Sequence, residues 1–147
     1  MRASARLSVL AVLLAFCPAG PVAATDLGGY AESLVDGDEF ILCEQGNCLN
    51  IRLCGINTPS KGTDGHAATT DALGKLILGK RVLCRPVGEG SVCDGLTARE
   101  SAGRTVAQCF VDDGSVDVAG ELVNGGFACD RPSRSDGHYS KDRPDRV

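Results

Sequence analysis

The chain has 147 residues, of which 23% are charged and 43% hydrophobic, with 8 cysteines, no tryptophan and a formal net charge of −4. A chain of this size buries a single thin core that benefits from covalent staples. Its acidic balance argues against tight, non-specific, counterion-driven binding to nucleic acid, so any phosphate contact has to be local and made by a few arginines.

The first 24 residues read as a targeting segment: Arg2 and Arg6 give a basic start, residues 7–16 an apolar run, and Val22-Ala23-Ala24 a small-residue cleavage site. The run is shorter than the about 20 residues a membrane span needs, and bulky Phe16 before Cys17 disfavours a lipoprotein cleavage site. The expectation is an exported protein, periplasmic or secreted, that begins near Thr25 and has no stable membrane association. All acidic residues follow Ala24, so the remainder is more acidic than the whole. Its seven cysteines are Cys43, Cys48, Cys54, Cys84, Cys93, Cys109 and Cys129. In an exported chain they read as disulfides. They do not make the two close pairs that a four-cysteine zinc site needs, and an odd number leaves one thiol free or paired between chains.

Residues 32–44 suit strands broken at Asp36-Gly37-Asp38, and residues 48–56 a further strand after a turn at 44–47. Cys43 and Cys48 flank that turn and can bond across a hairpin. In that register Arg52 falls opposite Glu39, and Asp38 lies close along the same ribbon. Glu39 itself points to the other face by alternation. Thr58-Pro59 ends the strand, since proline cannot continue a central ladder. Residues 60–65 form a polar loop. A helix is expected over 66–78 with Asp64 as a cap, burying Ala68, Ala72, Leu73, Leu76 and Ile77.

Strands at 81–87 and 104–111 follow as an antiparallel pair, with Cys84 and Cys109 placed for a cross-strand disulfide and Cys93 in the loop between. Asp112-Asp113-Gly114 is a turn, residues 116–124 a second helix stopped by Gly125-Gly126, and residues 127–129 a short edge element. Residues 131–147, polar and interleaved in charge, are expected to form a flexible tail. The domains are thus 1–24, 25–130 and 131–147. The fold class is mainly β with helices (α+β), a five-stranded oligonucleotide-binding (OB) barrel with two helices, stapled by disulfides.

Val35-Asp36-Gly37-Asp38, Ile51-Arg52-Leu53-Cys54-Gly55-Ile56-Asn57-Thr58-Pro59, Gly65, Gly103-Arg104-Thr105-Val106-Ala107 and Leu122-Val123-Asn124-Gly125-Gly126-Phe127-Ala128 occur in this order. Together they resemble the staphylococcal nuclease (thermonuclease-like) domain family, over about residues 30–130. The resemblance implies metal-assisted hydrolysis of DNA or RNA phosphodiesters, usually with calcium. It implies Asp38 as a metal carboxylate, the Thr58 carbonyl as a further metal ligand, and Arg52 and Arg104 as the arginines that hold phosphate, where a guanidinium fork is needed.

Two positions depart from the pattern. Asn57 stands where a second metal carboxylate is expected, which weakens calcium binding. Ser60 stands where the general base is expected, and a positioned base contributes about 10²–10⁴-fold. The sequence therefore points to a thermonuclease-like domain that binds nucleic-acid phosphates, with hydrolysis weakened or lost and calcium held weakly if at all. Two alternatives stay open: a slow calcium-dependent nuclease with a substitute base such as Asp64, or a disulfide-stapled envelope binding module with no nucleic-acid role. His66 and His138 read as exposed residues without catalytic partners, and nothing in the sequence points to a protein partner.

Overall fold

The computed structural model describes residues 25–140. The targeting segment and the basic residues Lys141, Arg143 and Arg146 of the expected tail lie outside the described residues. Five strands make the barrel: β1 (Leu27–Asp36), β2 (Glu39–Glu44), β3 (Asn47–Leu53), β5 (Arg81–Pro86) and β7 (Arg104–Val111). They pair in the order β3-β2-β1-β5-β7, and a parallel β3–β7 pairing closes the ring. Two register shifts in β1, at 31–33 and 34–36, give the curvature that closure needs. Two-residue strands β6 (Glu100–Ser101) and β8 (Val116–Asp117) extend β7. A separate ribbon joins β4 (Ile56–Asn57) to β9 (Cys129–Asp130).

The core follows strand alternation. Phe40 and Leu42 on β2, Ile51 and Leu53 on β3, Val82 and Cys84 on β5, and Ala107, Cys109 and Val111 on β7 are all buried. Helix α1 (His66–Ile77) covers one end with Leu73 and Ile77, and α2 (Val118–Asn124) adds Val118, Ala119 and Leu122. The molecule is the disulfide-stapled OB-type barrel with helices that its patterning implies. Cys43–Cys48 lies across the β2–β3 hairpin and Cys84–Cys109 across β5 and β7. A third bond, Cys54–Cys93, ties the loop after β5 to the end of β3, and Cys129 is a free, exposed thiol.

Several boundaries differ from expectation for local reasons. The strand expected over 48–56 breaks after Leu53, because Gly55 takes a left-handed φ of 76°. That turn sends Ile56 into the β4–β9 ribbon. Asp64 does not cap α1; Gly65 holds the cap position with φ 86° and no side-chain bond. On α1, Thr69 is buried while Ala68 is exposed. The Thr69 hydroxyl donates to the carbonyls of Gly65 and Phe127, which makes its burial inexpensive. Helix α2 starts at Val118, because Asp117 caps it by accepting from Ala119 N and Gly120 N.

The largest correction concerns residues 131–140, expected as a flexible tail. They pack on the barrel through the short helix α3 (Pro132–Ser135), with Ser135 and Tyr139 buried. Pro132 sits at the start of this helix, where a missing N–H costs nothing. Gly55 makes the docking possible: a Cβ there would stand 2.9 Å from Ser135 Cβ and 3.0 Å from Tyr139 Cε2.

Candidate functional site

The hairpin register sets the site. Cys43 opposes Cys48, which puts Glu39 opposite Arg52. Arg52 NH2 lies 2.7 Å from Asp38 Oδ2, an ion pair whose carboxylate is almost wholly buried. Barrel closure then brings β7 alongside β3, with Arg52 beside Val106, and Arg104 arrives at the same place. Arg104 NH1 donates to Glu39 Oε2 at 2.9 Å and its Nε to the Ser101 carbonyl at 3.0 Å. Glu39 Oε1 accepts from Asn50 Nδ2 at 2.7 Å. Two buried acids and two half-buried arginines therefore form one compensated quartet.

Glu39 is a correction to the reading by alternation. It belongs to the site and neutralises Arg104, because closing the barrel brings a strand against the face it occupies. His66 is another. Its Nε2 lies 2.8 Å from Asp36 Oδ1, which also accepts from Gly37 N at 2.7 Å. His138 is exposed, with its ring edge-on to Tyr139.

Gly37 sits between the two acids for a steric reason. A Cβ there would lie 2.7 Å from Thr69 Cγ2 and 3.3 Å from Thr58 Cβ, so only glycine lets the turn rest against both. Thr58 thereby stands beside Asp38. Burial pushes the Asp38 carboxyl above its ordinary value; Arg52 opposes the rise, Asp36 and Glu39 add to it, and the Thr58 hydroxyl opposes it. Asp38 Oδ2 has the charge of Arg52 nearby but no directed hydrogen bond.

Asn57 and Ser60 lie apart from the quartet. Asn57 is exposed on β4 and lines a shallow hollow with Thr58, Pro59 and Phe127. Ser60 is exposed in the loop, where its carbonyl accepts from the Thr63 hydroxyl at 2.6 Å. Asp64 is exposed in the same loop. Among the described residues no three His, Cys, Asp or Glu side chains gather as a metal cluster. At this turn the chain offers a cation the buried carboxylate of Asp38, with the Thr58 side chain beside it. Calcium ordinarily takes 6–8 oxygens, of which Asp38 is the one buried carboxylate at this turn.

Arg52 and Arg104 face a polar pocket of about 200 Å³, whose wall is completed by Thr97, Ser101, Arg131 and Arg134. The last two are residues that sequence reading assigned to the tail. The signal that could have found them is Pro132, a residue suited to opening a helix, directly after Arg131. The loop that carries Thr97 and leads into Ser101 on β6 is organised by Asp94. Its carboxylate accepts from the Ser91 hydroxyl and from the backbone N–H groups of Gly88, Gly90 and Ser91. Burial alone would raise its pKa, but these bonds hold it below the usual range.

No protein-family model matches the chain. It is similar to two proteins described as "uncharacterized endonuclease", one from Escherichia coli O157:H7 and one from Escherichia coli. In each case 28% of 116 residues are identical, covering 79% of this chain and 69% of the relative. Over most of its length the chain is therefore similar to proteins of a broadly nuclease-like kind.

Proposed function

We propose that this chain is an exported, thermonuclease-like domain that binds nucleic-acid phosphates at the arginine-lined pocket and hydrolyses phosphodiesters weakly or not at all. The observation that carries the reading is the convergence of Arg52 and Arg104, from β3 and β7, on one pocket beside the buried Asp38. The similarity to proteins described as endonucleases supports it. Arg52 and Arg104 hold phosphate oxygens through paired N–H donors. Asp38, with the Thr58 carbonyl, would hold calcium loosely, and calcium bound there would supply positive charge against the phosphate. Ser60 cannot act as a base near neutral pH, and Asn57 offers an amide oxygen where a carboxylate would bind calcium more tightly.

A second reading, a disulfide-stapled binding module with no nucleic-acid role, is favoured by one feature: each of these arginines already has a buried carboxylate partner. A phosphate must compete with Asp38 and Glu39 for them. Digestion of single-stranded DNA with calcium present, run beside an oligonucleotide-binding titration, separates the readings. The proposal expects measurable binding with little cleavage. Rapid cleavage that Asp38→Ala abolishes would overturn the weakened-hydrolysis part, and absence of binding would overturn the phosphate part.

A further inference from the structure

The positive charge available in the pocket does not come chiefly from Arg52 and Arg104. Those two are compensated by Asp38 and Glu39 at 2.7 and 2.9 Å. Arg131 and Arg134 line the same pocket, and among the described residues neither has a carboxylate within ion-pair distance. The adjacent acid, Asp130, is turned away: its Oδ1 takes the Ser135 hydroxyl and its Oδ2 is buried.

The backbone of both arginines is held in place, and the Arg134 side chain has a partner of its own. Arg131 N donates to the Gly55 carbonyl at 2.7 Å, directly beside the end of β3. Arg134 NH1 donates to Thr97 Oγ1 at 3.2 Å, across the pocket mouth. Ser135 and Tyr139 anchor the segment from below, and the Tyr139 hydroxyl reaches Asp117 Oδ2 at 3.4 Å. Because the backbone is fixed by packing, an anion binding there has less ordering to oppose it. The pocket is smaller than the about 300–1,000 Å³ typical of organic-ligand sites and is lined by guanidinium and hydroxyl donors, which suits phosphate groups of a strand running along its open side better than an enclosed organic ligand.

We propose that Arg131 and Arg134 form a second phosphate subsite, which takes the phosphate next along a nucleic-acid strand from the one at Arg52 and Arg104. This rests on the phosphate-binding reading given above. Contacts to consecutive phosphates fix a strand's direction and register without reading its bases. Arg131 and Arg134, which pair with no carboxylate among the described residues, supply the attraction, while Arg52 and Arg104 rearrange only once the strand is seated.

The test is fluorescence anisotropy with a short labelled oligodeoxythymidine at several salt concentrations. Three proteins are compared: the parent, Arg131→Gln/Arg134→Gln and Arg52→Gln/Arg104→Gln. Thermal melts check that each remains folded. The Arg131→Gln/Arg134→Gln protein should bind at least tenfold more weakly. Its slope of log affinity against log salt should fall by roughly 1.4, for two contacts at about 0.7 each on single strands. Arg131→Lys/Arg134→Lys should recover the slope but only part of the affinity, since lysine keeps charge without the fork. If the parent binds and the loss appears only with Arg52→Gln/Arg104→Gln, the second subsite is wrong while the phosphate-binding reading stands. If the parent does not bind at all, both are wrong.

Discussion

Gly37 separates two aspartates that end in different partnerships, Asp36 with His66 and Asp38 with Arg52. Asp38 is the group that resists its own charge. Its folded pKa lies above the ordinary 3.8 because of burial, so the folded state holds the proton more firmly than the unfolded chain does. Stability associated with Asp38 therefore falls as pH rises from about the ordinary carboxylate value through the folded one. Asp38→Asn should be more stable than the parent at neutral pH, by an amount that shrinks toward zero as pH drops to the ordinary value. Urea melts across that range check this, and a difference independent of pH would contradict it.

Glu39→Gln makes the complementary case. It removes the charge that compensates Arg104 and should raise oligonucleotide affinity by about tenfold, the scale of one unscreened charge contact. The cost in stability should be on the order of 1–2 kcal/mol, for a charged hydrogen bond weakened in a half-buried place. Arg52 opposite Glu39 was legible in the sequence because one disulfide across a short turn sets the register. The Glu39–Arg104 pair was not, because alternation along one strand says nothing about the strand that barrel closure brings to that face.

Among the elements, the loop between β5 and β6 and the short helix α3 do most to complete the pocket, and neither has a hydrophobic pattern of its own. The Cys54–Cys93 bond and Asp94 hold the loop. Gly55 gives α3 its landing place. Removing the bond with Cys54→Ala/Cys93→Ala should cost about 2–4 kcal/mol, the usual range for a native disulfide. It should also weaken oligonucleotide binding, because Thr97 and Ser101 lose their fixed position; unchanged binding in a destabilised but folded variant would show that the loop is only a staple. Cysteine pairing across 39 residues, as here, has no local signature. The hairpin bond and the β5–β7 bond were readable because each pair sits in facing strands. The docked α3 was missed for a similar reason. Charge and proline content describe what a segment can do alone, and its order here comes from two buried residues, Ser135 and Tyr139, on a polar stretch.

For the whole molecule, an acidic chain carries an arginine-lined pocket at the point where its barrel closes, and that contrast is what would make the proposed local phosphate site compatible with the net charge of −4. The barrel was legible because strand alternation and turn residues agree along its length. Under the proposed function, competence for hydrolysis would turn on Asn57 and Ser60, which lie outside the buried quartet at exposed positions and can be exchanged without disturbing the core. The most direct measurement is therefore the calcium-dependent cleavage rate of single-stranded DNA by Asn57→Asp/Ser60→Glu against that of the parent. The account predicts an increase of about 10²–10⁴-fold, the contribution of a positioned base, lost again when Asp38→Ala is added. A rate unchanged by the double substitution, in a protein that still binds the oligonucleotide, would contradict it.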